Sequence, residues 1–440
     1  MNEYLKVLLE QIRCKKAHPY IRQELQDHIE DQIEANVQAG MSYEYAEKEA
    51  VRDMGDPIEI GISLDRIHRP QVAWKLLFLV ILLSIAGILI HAVISSRVVG
   101  ADAAASGRYA LHVMLGLALM IILYFLDYTL LARFSKIIAV ALIGICVITL
   151  LFGNTVNGMR VFLVFAGNSI SVQALMLFYV PIYGGIIYKY RGFGYQGLLR
   201  SIAWMVLPVF LVLRLPAIMT AGPMLISMLV MLTIAVWKDW FRVAKRKTIG
   251  VLWGTFLGFP IIMIFIMYWG NVFASYQKER IQAFLPNSGT ESYLTESVRA
   301  LLSSNKIVGS NGLDVAENLP GFNTDYILTC LSSMYGMIAA IIVCCVLAVL
   351  IFVVFHTAIK QKNQLGMMMG CGCGMVFLIS TLINVMENIG AFPPTVTFLP
   401  FISAGGSYVI MSYGLMGIVL SIYRYKNVYP HHVKINMLND

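Results

Sequence analysis

Charged residues are scarce in this sequence. Asp, Glu, Lys and Arg together make up 13% of its 440 residues, whereas 58% are hydrophobic and the mean hydropathy is +0.72. This composition excludes a water-soluble globular protein and indicates an integral membrane protein. Walker A loops, zinc-binding motifs and Ser-His-Asp constellations are also lacking, so the chemistries of familiar soluble enzymes are not supported.

The seven cysteines give no disulfide framework. Six of them fall in or beside apolar runs, where a free Cys acts as a small hydrophobic residue. Cys371 and Cys373 have no His or carboxylate ligands nearby in the sequence, so we predict that they pack, and we expect no metal-binding residues. The basic pI of about 9.0 reflects the composition of the loops, and no nucleic acid partner is expected.

The first 70 residues differ in composition from the rest. They contain nine Lys and Arg but fourteen Asp and Glu, a net charge of −5, whereas the remainder carries +13. Apolar residues recur at every fourth position from Ile21 to Val37, which predicts an amphipathic helix that ends at Gly40. Ser42 and Asp56 are candidate N-caps of two further helices. Because the first apolar run is long enough to span a bilayer, we expect no cleavable signal peptide.

This prefix resembles the small acidic helical domains that precede some bacterial permeases and sensor proteins. The matching segments are Gly40-Met-Ser42, Ala46-Glu-Lys-Glu-Ala50 and Met54-Gly-Asp-Pro57. Regulatory coupling and a passive, solvated appendage are both open as its role. Because the prefix is acidic, we expect it to dock on a basic cytoplasmic loop, of which 238–247 is the most charged, or on an acceptor protein.

Ten apolar runs are long enough to cross a bilayer as helices. They cover residues 73–95, 109–127, 135–153, 171–189, 200–214, 216–237, 249–270, 326–356, 366–388 and 405–423. With the amino terminus inside, fifteen Lys and Arg fall in the inner connections and the tail against eight outside, which satisfies the positive-inside rule. The predicted fold is all-α and integral to the membrane, with ten transmembrane helices, a long extracellular loop between spans seven and eight, and cytoplasmic termini. The predicted domains are a cytoplasmic prefix (1–70), a membrane domain (71–430) and a cytoplasmic tail (431–440).

The segment between the ninth and tenth runs, 388–407, is the most informative part of the chain. Its three prolines cannot continue a helix, and Gly405 and Gly406 permit backbone angles or close approaches that other residues resist. Irregular backbone at membrane depth is tolerated only where protein or a water-filled cavity satisfies its polar groups. The segment therefore predicts a built site.

Two acids lie beside this segment or at the mouth of a span. Asp325 is the only carboxylate at the start of the predicted eighth span, where it could be functional or could simply cap the helix and complement its dipole. Glu387 lies at the outer end of the ninth span. Charged residues at such positions face the bundle interior and mark a site, although a Glu at the membrane interface also costs little.

Five segments carry recognisable motifs, namely Leu399-Pro-Phe-Ile-Ser-Ala-Gly-Gly-Ser407, Asn388-Ile-Gly390, Thr324-Asp-Tyr-Ile327, Asn157-Gly-Met-Arg160 and Tyr276-Gln-Lys-Glu-Arg280. These segments resemble motifs of the SEDS family (FtsW, RodA and SpoVE), bacterial ten-helix membrane glycosyltransferases. The resemblance covers residues 73–424, and the family's Leu-Pro-Phe-Ile-Ser-Tyr-Gly-Gly-Ser and Thr-Asp-Phe-Ile, with its essential Asp, are the most specific motifs.

The sequence departs from the family where several ionisable membrane residues are expected. The family's Gln-Pro-Ser-Glu becomes Gln173-Ala-Leu-Met176, and its Pro-Asp-Leu-Gly-Thr becomes Pro216-Ala-Ile-Met-Thr220. Its Glu-Glu pair becomes Ser333-Met334, and the Tyr before Gly-Gly becomes Ala404. Such losses indicate either a different mode of action or a chain that has moved away from catalysis.

The resemblance implies a peptidoglycan glycosyltransferase that polymerises lipid II, or a related polyprenyl-linked sugar, at the outer face of the bacterial plasma membrane during growth, division or sporulation. Asp325 is the implied general base. The implied substrate-binding residues are Arg160, Lys278, Arg280, Asn388, Pro400, Ser403, Gly405, Gly406 and Ser407. The implied partners are a class B penicillin-binding protein and membrane lipids, and a divalent cation is left open as a cofactor.

Two other classes of function stay open at this point. A transporter that moves a lipid-linked precursor without bond chemistry would use the same groove and fits the lost acids. A non-catalytic scaffold of a cell-wall synthesis complex would use the prefix as its partner surface.

Overall fold

The computed structural model describes residues 1–97, 104–156, 159–165, 168–215, 217–270, 293–312, 315, 319–392 and 394–430. Helices dominate these residues, which confirms the predicted helical membrane class. They are α1 (Asn2–Glu10), α2 (His18–Gln38), α3 (Tyr43–Asp53), α4 (Pro57–His68), α5 (Trp74–Arg97), α6 (Ala105–Phe125), α7 (Tyr128–Arg133), α8 (Ser135–Phe152), α9 (Val172–Met176), α10 (Tyr179–Lys189), α11 (Gly194–Arg214), α12 (Ile218–Trp237), α13 (Lys245–Trp253), α14 (Phe259–Trp269), α15 (Tyr293–Ser304), α16 (Ile327–Tyr335), α17 (Met337–Ile359), α18 (Gln364–Asn388) and α19 (Gly406–Arg424). A 3₁₀ turn (Lys15–Ala17) precedes α2, and a π-helical turn (Gly254–Gly258) joins α13 to α14.

The prefix folds as four helices, α1 to α4, with a small core of its own. That core consists of Leu5, Ile29, Ile33, Ala46 and Ala50. The Asp56 carboxylate accepts a 2.9 Å hydrogen bond from the Ile58 N–H and caps α4, as predicted. Ser42 precedes α3, but its side chain makes no capping hydrogen bond.

Nine helices in the described part of the chain are long and apolar enough to cross a membrane. They are α5, α6, α8, the consecutive pair α9 and α10, α11, α12, α17, α18 and α19. The predicted seventh span, 249–270, falls on α13, the π-helical turn and α14, which follow one another but are each too short to cross alone. The count of ten spans therefore stays a prediction.

The predicted eighth span, 326–356, is wrong at its start. Gly336, with φ +94° and ψ 167°, separates α16 from α17, so the membrane-spanning helix begins at Met337. The site is also crowded, because a Cβ on Gly336 would lie 2.5 Å from the carbonyl oxygen of Ile307. Backbone at such a φ strongly favours Gly, and the helix breaks there. Asp325 consequently precedes a short separate helix.

A small antiparallel sheet connects α8 to α9. Its strands are β1 (Asn154–Val156), β2 (Met159–Phe165) and β3 (Asn168–Ser171), with β2 in the middle. The sequence does not predict these strands, because strands this short beside an apolar run give little periodic signal. Through the N–H of Ser171, β3 donates a 3.0 Å hydrogen bond to the Ser407 hydroxyl at the start of α19.

Helix α18 is buried along most of its length, and its small residues allow close packing. A Cβ on Gly370 would lie 2.9 Å from the Cβ of Ala358, and one on Gly374 would lie 3.0 Å from the ring of Phe355, both in α17. Gly370 and Gly374, four residues apart in the sequence, therefore form a packing surface. It fixes α18, whose last turn carries the candidate site.

The prefix packs on the membrane domain at a place that its charge did not indicate. Lys16 Nζ lies 2.7 Å from Asp127 Oδ2, immediately before α7. The Tyr20 ring packs edge-on against Tyr429 at a centroid distance of 5.8 Å. The prediction of docking on loop 238–247 is therefore wrong in its location. An ion pair and an aromatic contact are among the contacts that dock the prefix, and a comparison of net charges does not foresee either.

Candidate functional site

A tight turn presents Asp325 immediately ahead of α16. Gly321 has φ +82°, and its carbonyl oxygen accepts hydrogen bonds from the N–H groups of Thr324 (2.9 Å) and Tyr326 (3.1 Å). A Cβ at Gly321 would lie 3.4 Å from Asp325 Oδ2, so this glycine keeps space beside the carboxylate. Asp325 remains partly exposed. Tyr326 is the N-cap residue of α16, and its side chain makes no capping hydrogen bond, so Asp325 lies one residue ahead of the N-cap position.

Two asparagines of α18 hold the backbone of this turn. The side-chain amides of Asn384 and Asn388 donate hydrogen bonds of 2.9 and 2.8 Å to the carbonyl oxygen of Asp325. Asn388 Oδ1 also accepts a 2.9 Å hydrogen bond from the N–H of Thr329 in α16. Asn388, which the resemblance implied as a substrate contact, is thus a clamp that joins α16 to α18 beneath the acid.

Glu387 lies on the same turn of α18 and is 1% exposed. Its carboxylate accepts a 2.6 Å hydrogen bond from the N–H of Thr395 and a short hydrogen bond from the hydroxyl of Thr397. The hydroxyl of Tyr326 also donates to Glu387. Glu387 therefore ties the irregular segment after α18 to the residue that follows Asp325.

Asp325 is an acid with an unusual proton affinity. Burial and, next, the negative charge of Glu387 raise the pKa of Asp325 to about 7, while a hydrogen bond from the backbone N–H of Thr397 acts in the opposite direction. A carboxylate with this pKa is half deprotonated near neutral pH. It can therefore accept a proton from a substrate and release it afterwards, which suits a general base.

The irregular segment 389–405 is packed against the helices around it. The Phe401 carbonyl accepts a short hydrogen bond from the Tyr109 hydroxyl, and the Ile402 carbonyl accepts one of 2.8 Å from His91 Nε2. The Ser403 hydroxyl donates to the Thr324 carbonyl at 2.7 Å. Protein groups thus satisfy the non-helical backbone at this depth, as the prediction of a built site requires.

The remaining predicted residues of this segment shape its end. Pro400 is buried at the start of the turn that precedes α19. Gly405 has an ordinary φ of −63°, so no special backbone angle is needed there. Gly406 requires a close approach instead, because a Cβ would lie 2.5 Å from Nε2 of His112. The Ser407 hydroxyl accepts the hydrogen bond from the Ser171 N–H of β3 described above.

Comparison with known proteins identifies the family. The model of the FtsW/RodA/SpoVE proteins, described as cell cycle proteins, matches residues 71–428. The chain belongs to this family. One relative, named "Probable peptidoglycan glycosyltransferase FtsW", from Wigglesworthia glossinidia brevipalpis, is 28% identical over 373 residues, 78% of this chain and 91% of that protein. A relative of the same name from Aliivibrio salmonicida is 23% identical over 361 residues, 79% and 85% of the two chains.

Solved structures share the fold of this FtsW/RodA/SpoVE protein. A chain described under "Structural coordination of polymerization and crosslinking by a peptidoglycan synthase complex" aligns with a TM-score of 0.65 at 19% identity, over 81% of this chain and 98% of that one. The rod shape determining protein RodA of Thermus thermophilus aligns with a TM-score of 0.56 at 16% identity, over 81% and 97%. At these identities the likeness concerns the fold alone, and it confirms the predicted class.

The structure does not describe the side chains of the three cations, Arg160, Lys278 and Arg280, that the resemblance implies as substrate-binding residues. Arg160 lies on β2 with its Cα paired to that of Thr155, and the position of its side chain is outside the description. Lys278 and Arg280 lie outside the described residues altogether. Arg299 of α15, which the sequence analysis did not select, donates a 3.1 Å hydrogen bond to the Gly390 carbonyl just beyond α18.

An apolar groove of about 470 Å³ begins beside the clamp residues. Helices α17 and α18 and the start of α16 form its walls, with Ile341, Ala348 and Val385 among the lining residues. Thr329 and Asn388 stand at its polar edge. The groove therefore extends along an apolar surface to Asn388, the residue whose side chain holds the Asp325 carbonyl.

A divalent cation was left open as a cofactor, and the fit of the residues can be examined. In the parts of the chain that the structure describes, no group of three or more His, Cys, Asp and Glu is placed to hold a metal ion. Asp325 and Glu387 are two carboxylates, and Glu387 already accepts three hydrogen bonds. The described residues alone do not form a dedicated cation cage.

The sequence contains a pattern that predicts the polar side chains at the end of α18. Asn384, Glu387 and Asn388 are spaced i, i+3 and i+4, which places polar side chains on one face of an otherwise apolar helix. Taken singly, Glu387 is one charge at the end of a span, and Asn388 is part of a motif. Read together, the three positions predict a polar face at the end of the ninth span.

Proposed function

We propose that this protein is a peptidoglycan glycosyltransferase that polymerises lipid II, or a closely related polyprenyl-linked sugar, with Asp325 as the general base. The observation that carries the proposal is the placement of Asp325, which is partly exposed, is clamped by two asparagines and has a pKa raised to about 7 by burial and, next, by Glu387. Membership of the family and the names of its relatives support the reaction class.

The proposed reaction transfers a sugar from a lipid pyrophosphate to a hydroxyl group of an acceptor sugar. The hydroxyl oxygen attacks the anomeric carbon of the donor, and the bond from that carbon to the pyrophosphate breaks. The proton of the hydroxyl passes to the carboxylate of Asp325, and the lipid pyrophosphate leaves with the electron pair. General-base catalysis of this kind contributes about 100-fold to 10,000-fold to a rate.

The lipid chain and the pyrophosphate need separate surroundings. The apolar groove that ends at Asn388 is suited to a polyprenyl tail, because its wall is hydrophobic and Asn388 is bonded to the Asp325 carbonyl. Cations must offset the charge of the leaving pyrophosphate. Arg160, Lys278 and Arg280 remain our candidates for that role, and Arg299 joins them because it lies next to Gly390. Ser403, Gly405, Gly406 and Ser407 are proposed to shape the cavity.

The proposed setting is the plasma membrane of a bacterium, with Asp325 at the outer face and both termini in the cytoplasm. The distribution of Lys and Arg supports this orientation. A class B penicillin-binding protein is the proposed partner. The support for it is that a structural neighbour comes from a peptidoglycan synthase complex in which polymerization and crosslinking are coordinated.

The test is polymerisation of labelled lipid II by the purified full-length protein, alone and with a class B penicillin-binding protein. We expect glycan strands from the wild type and a loss of about 100-fold or more with Asp325→Asn. The matched control is Glu296→Gln, which removes an exposed carboxylate from α15 and should leave the rate unchanged.

Two outcomes would contradict the proposal. Polymerisation within a few-fold of the wild type in Asp325→Asn would remove Asp325 from the chemistry. Translocation of labelled lipid II across vesicles without polymer, and without an effect of Asp325→Asn, would instead identify a transporter.

A further inference from the structure

A second cavity, of about 530 Å³, lies at the opposite end of the helices from Asp325. It is formed by the start of α5, the end of α17 with the residues after it, and the segment that follows α19. These three parts are far apart in the sequence. The cavity is therefore a product of tertiary structure, separate from the candidate active site.

The charge in this cavity has one sign. Lys75, Lys360, Lys362 and Lys426 line it, and none of its described lining residues is acidic. None of the ion pairs recorded in the described residues involves these four lysines. Four cations around one cavity repel one another, and an anion bound between them would relieve that repulsion.

The wall of the cavity is partly apolar and partly aromatic. Trp74, the first residue of α5, is 74% exposed, and Tyr423 contributes its ring, over which Lys426 Nζ lies 4.3 Å from the centroid. Trp and Tyr concentrate at the ends of membrane helices, at the level of the lipid headgroups. An anion that also touches this wall must be amphipathic, which distinguishes a phospholipid from a soluble phosphate.

The position relative to the membrane fits the same ligand. α5 begins here and α17 and α19 end here, so the cavity lies where helices leave the bilayer. In the proposed orientation, with cytoplasmic termini, this is the inner leaflet. Basic pockets between membrane helices on that side bind the headgroups of anionic lipids.

The cavity is connected to the docked prefix. Asn427, one of its lining residues, accepts a 2.6 Å hydrogen bond at its carbonyl from Nδ1 of His68, and its side-chain amide donates to the Ile67 carbonyl at 3.2 Å. The N–H of Gln71 donates to the Arg424 carbonyl at 3.0 Å. The end of α4 is thus fastened to the segment that forms one wall. A ligand that binds the cavity as it is formed with the prefix docked would favour the docked prefix by mass action.

We propose that this cavity binds the phosphodiester headgroup of an anionic phospholipid of the inner leaflet, and that the bound lipid stabilises the prefix on the membrane domain. The ligand is recognised by four lysines and an aromatic wall, and the proposal needs no step of the polymerisation reaction. It makes the docking of the prefix depend on the composition of the membrane.

The experiment uses the full-length protein in nanodiscs of phosphatidylcholine with or without about one third phosphatidylglycerol. The test variant is Lys75→Gln/Lys362→Gln/Lys426→Gln. The matched control is Lys245→Gln/Arg246→Gln/Lys247→Gln, which removes the same number of exposed charges at α13. The melting temperature and the phosphatidylglycerol that copurifies into detergent are measured, together with cleavage of the linker near residue 70 by a protease. Because the lipid is present in both leaflets, the result does not depend on orientation.

We expect phosphatidylglycerol to raise Tm by about 3 °C or more and to slow cleavage of the linker in the wild type and the control. The test variant should lose both effects, and its affinity for the lipid should fall on the order of 100-fold, since each Lys near an anionic headgroup contributes about 1 kcal/mol. Equal effects of phosphatidylglycerol on all three proteins would overturn the proposal. So would the same Tm rise from inorganic phosphate in detergent, which would assign a soluble anion to the cavity.

Discussion

Asp127 and Asp325 are carboxylates that stand just ahead of short helices at opposite ends of the membrane domain, and their surroundings differ in kind. Asp127 is 3% exposed and accepts hydrogen bonds from the N–H (3.0 Å) and hydroxyl (2.9 Å) of Thr129, from Lys16 Nζ (2.7 Å) and from the Tyr429 hydroxyl. Asp325 accepts from the Thr397 N–H and lies near the negative charge of Glu387. None of the ion pairs recorded in the described residues involves Asp325.

The difference teaches how to separate a structural acid from a reactive one. Donors that surround the buried carboxylate of Asp127 hold it in one position, and Asp127 thereby caps α7 and anchors the prefix. Asp325 has fewer donors, and burial together with the negative charge of Glu387 raises its pKa to about 7. The same residue type before a helix therefore serves a contact in one place and chemistry in the other.

The largest effect on stability is expected at Asp127. Asp127→Ala leaves Lys16, Thr129 and Tyr429 without their shared acceptor, and removal of one partner of such a buried network should lower the free energy of unfolding by about 2–4 kcal/mol. Thermal unfolding in detergent measures the loss. Glu44→Ala is the control, because its pair with Lys48 is exposed on both sides and should contribute little. Equal losses in both variants would refute the structural role of Asp127.

The second prediction concerns the pH dependence of polymerisation. Because Asp325 must be deprotonated to act as a base, the rate should rise with pH through about 7. Glu387→Gln removes the negative charge that helps to raise the pKa of Asp325, so the midpoint of the rise should move to lower pH. Glu296→Gln, which changes an exposed carboxylate of α15, should leave the midpoint in place. An unchanged midpoint in Glu387→Gln would show that the two acids do not interact.

A third prediction concerns how the stability of the protein depends on pH. The pKa of Asp325 is about 7 in the folded protein and near 3.8 when exposed, so the folded state binds the proton more tightly. The contribution of Asp325 to the free energy of unfolding therefore falls as the pH rises from about 4 to about 7. In Asp325→Asn this part of the pH dependence of Tm should disappear, and Tm at pH 8 should not fall below that of the wild type. A lower Tm across the whole range would mean that Asp325 is a structural acid like Asp127.

The smallest effect is expected at Lys16. Its side chain is 45% exposed, so Lys16→Gln leaves Asp127 with three protein donors and access to water through the vacated position. We expect a loss of no more than about 1 kcal/mol in the free energy of unfolding. Protease cleavage near residue 70 provides a second measure of docking. A loss as large as that of Asp127→Ala would place the stabilisation in the ion pair and not in the other donors of Asp127.

Much of the candidate functional site could be predicted from the sequence, because its parts lie within short motifs. The irregular segment was evident from prolines and glycines that no membrane helix tolerates without compensation, and Asp325 stood within a recognisable motif. The clamp was not predicted, since Asn384 and Asn388 are 59 and 63 residues from the carbonyl that they hold. Hydrogen bonds over such separations leave no periodic pattern in the sequence.

The other differences between the predictions from sequence and the structure also have physical causes. Gly336 lies within a continuous apolar run, and composition does not reveal that a single glycine there adopts a positive φ. The prefix docks through close contacts such as those of Lys16, Tyr20 and His68, whereas the expectation of contact with 238–247 rested on net charge, which acts at long range and is screened. Close contacts decide where two surfaces meet, and net charge decides only whether they attract.

The break at Gly336 bears on how the protein tolerates bilayers of different thickness. α17 has 23 residues, with large apolar side chains such as Phe352 exposed on its outer surface, and a helix of this kind tilts when the hydrocarbon layer becomes thinner. If α16 continued into α17 as one rod, each change of tilt would move the turn that carries Asp325. The glycine joint instead leaves that turn attached to Asn384 and Asn388 of α18. A change of tilt at the start of α17 is thus not carried along a single rod into the turn that holds the acid.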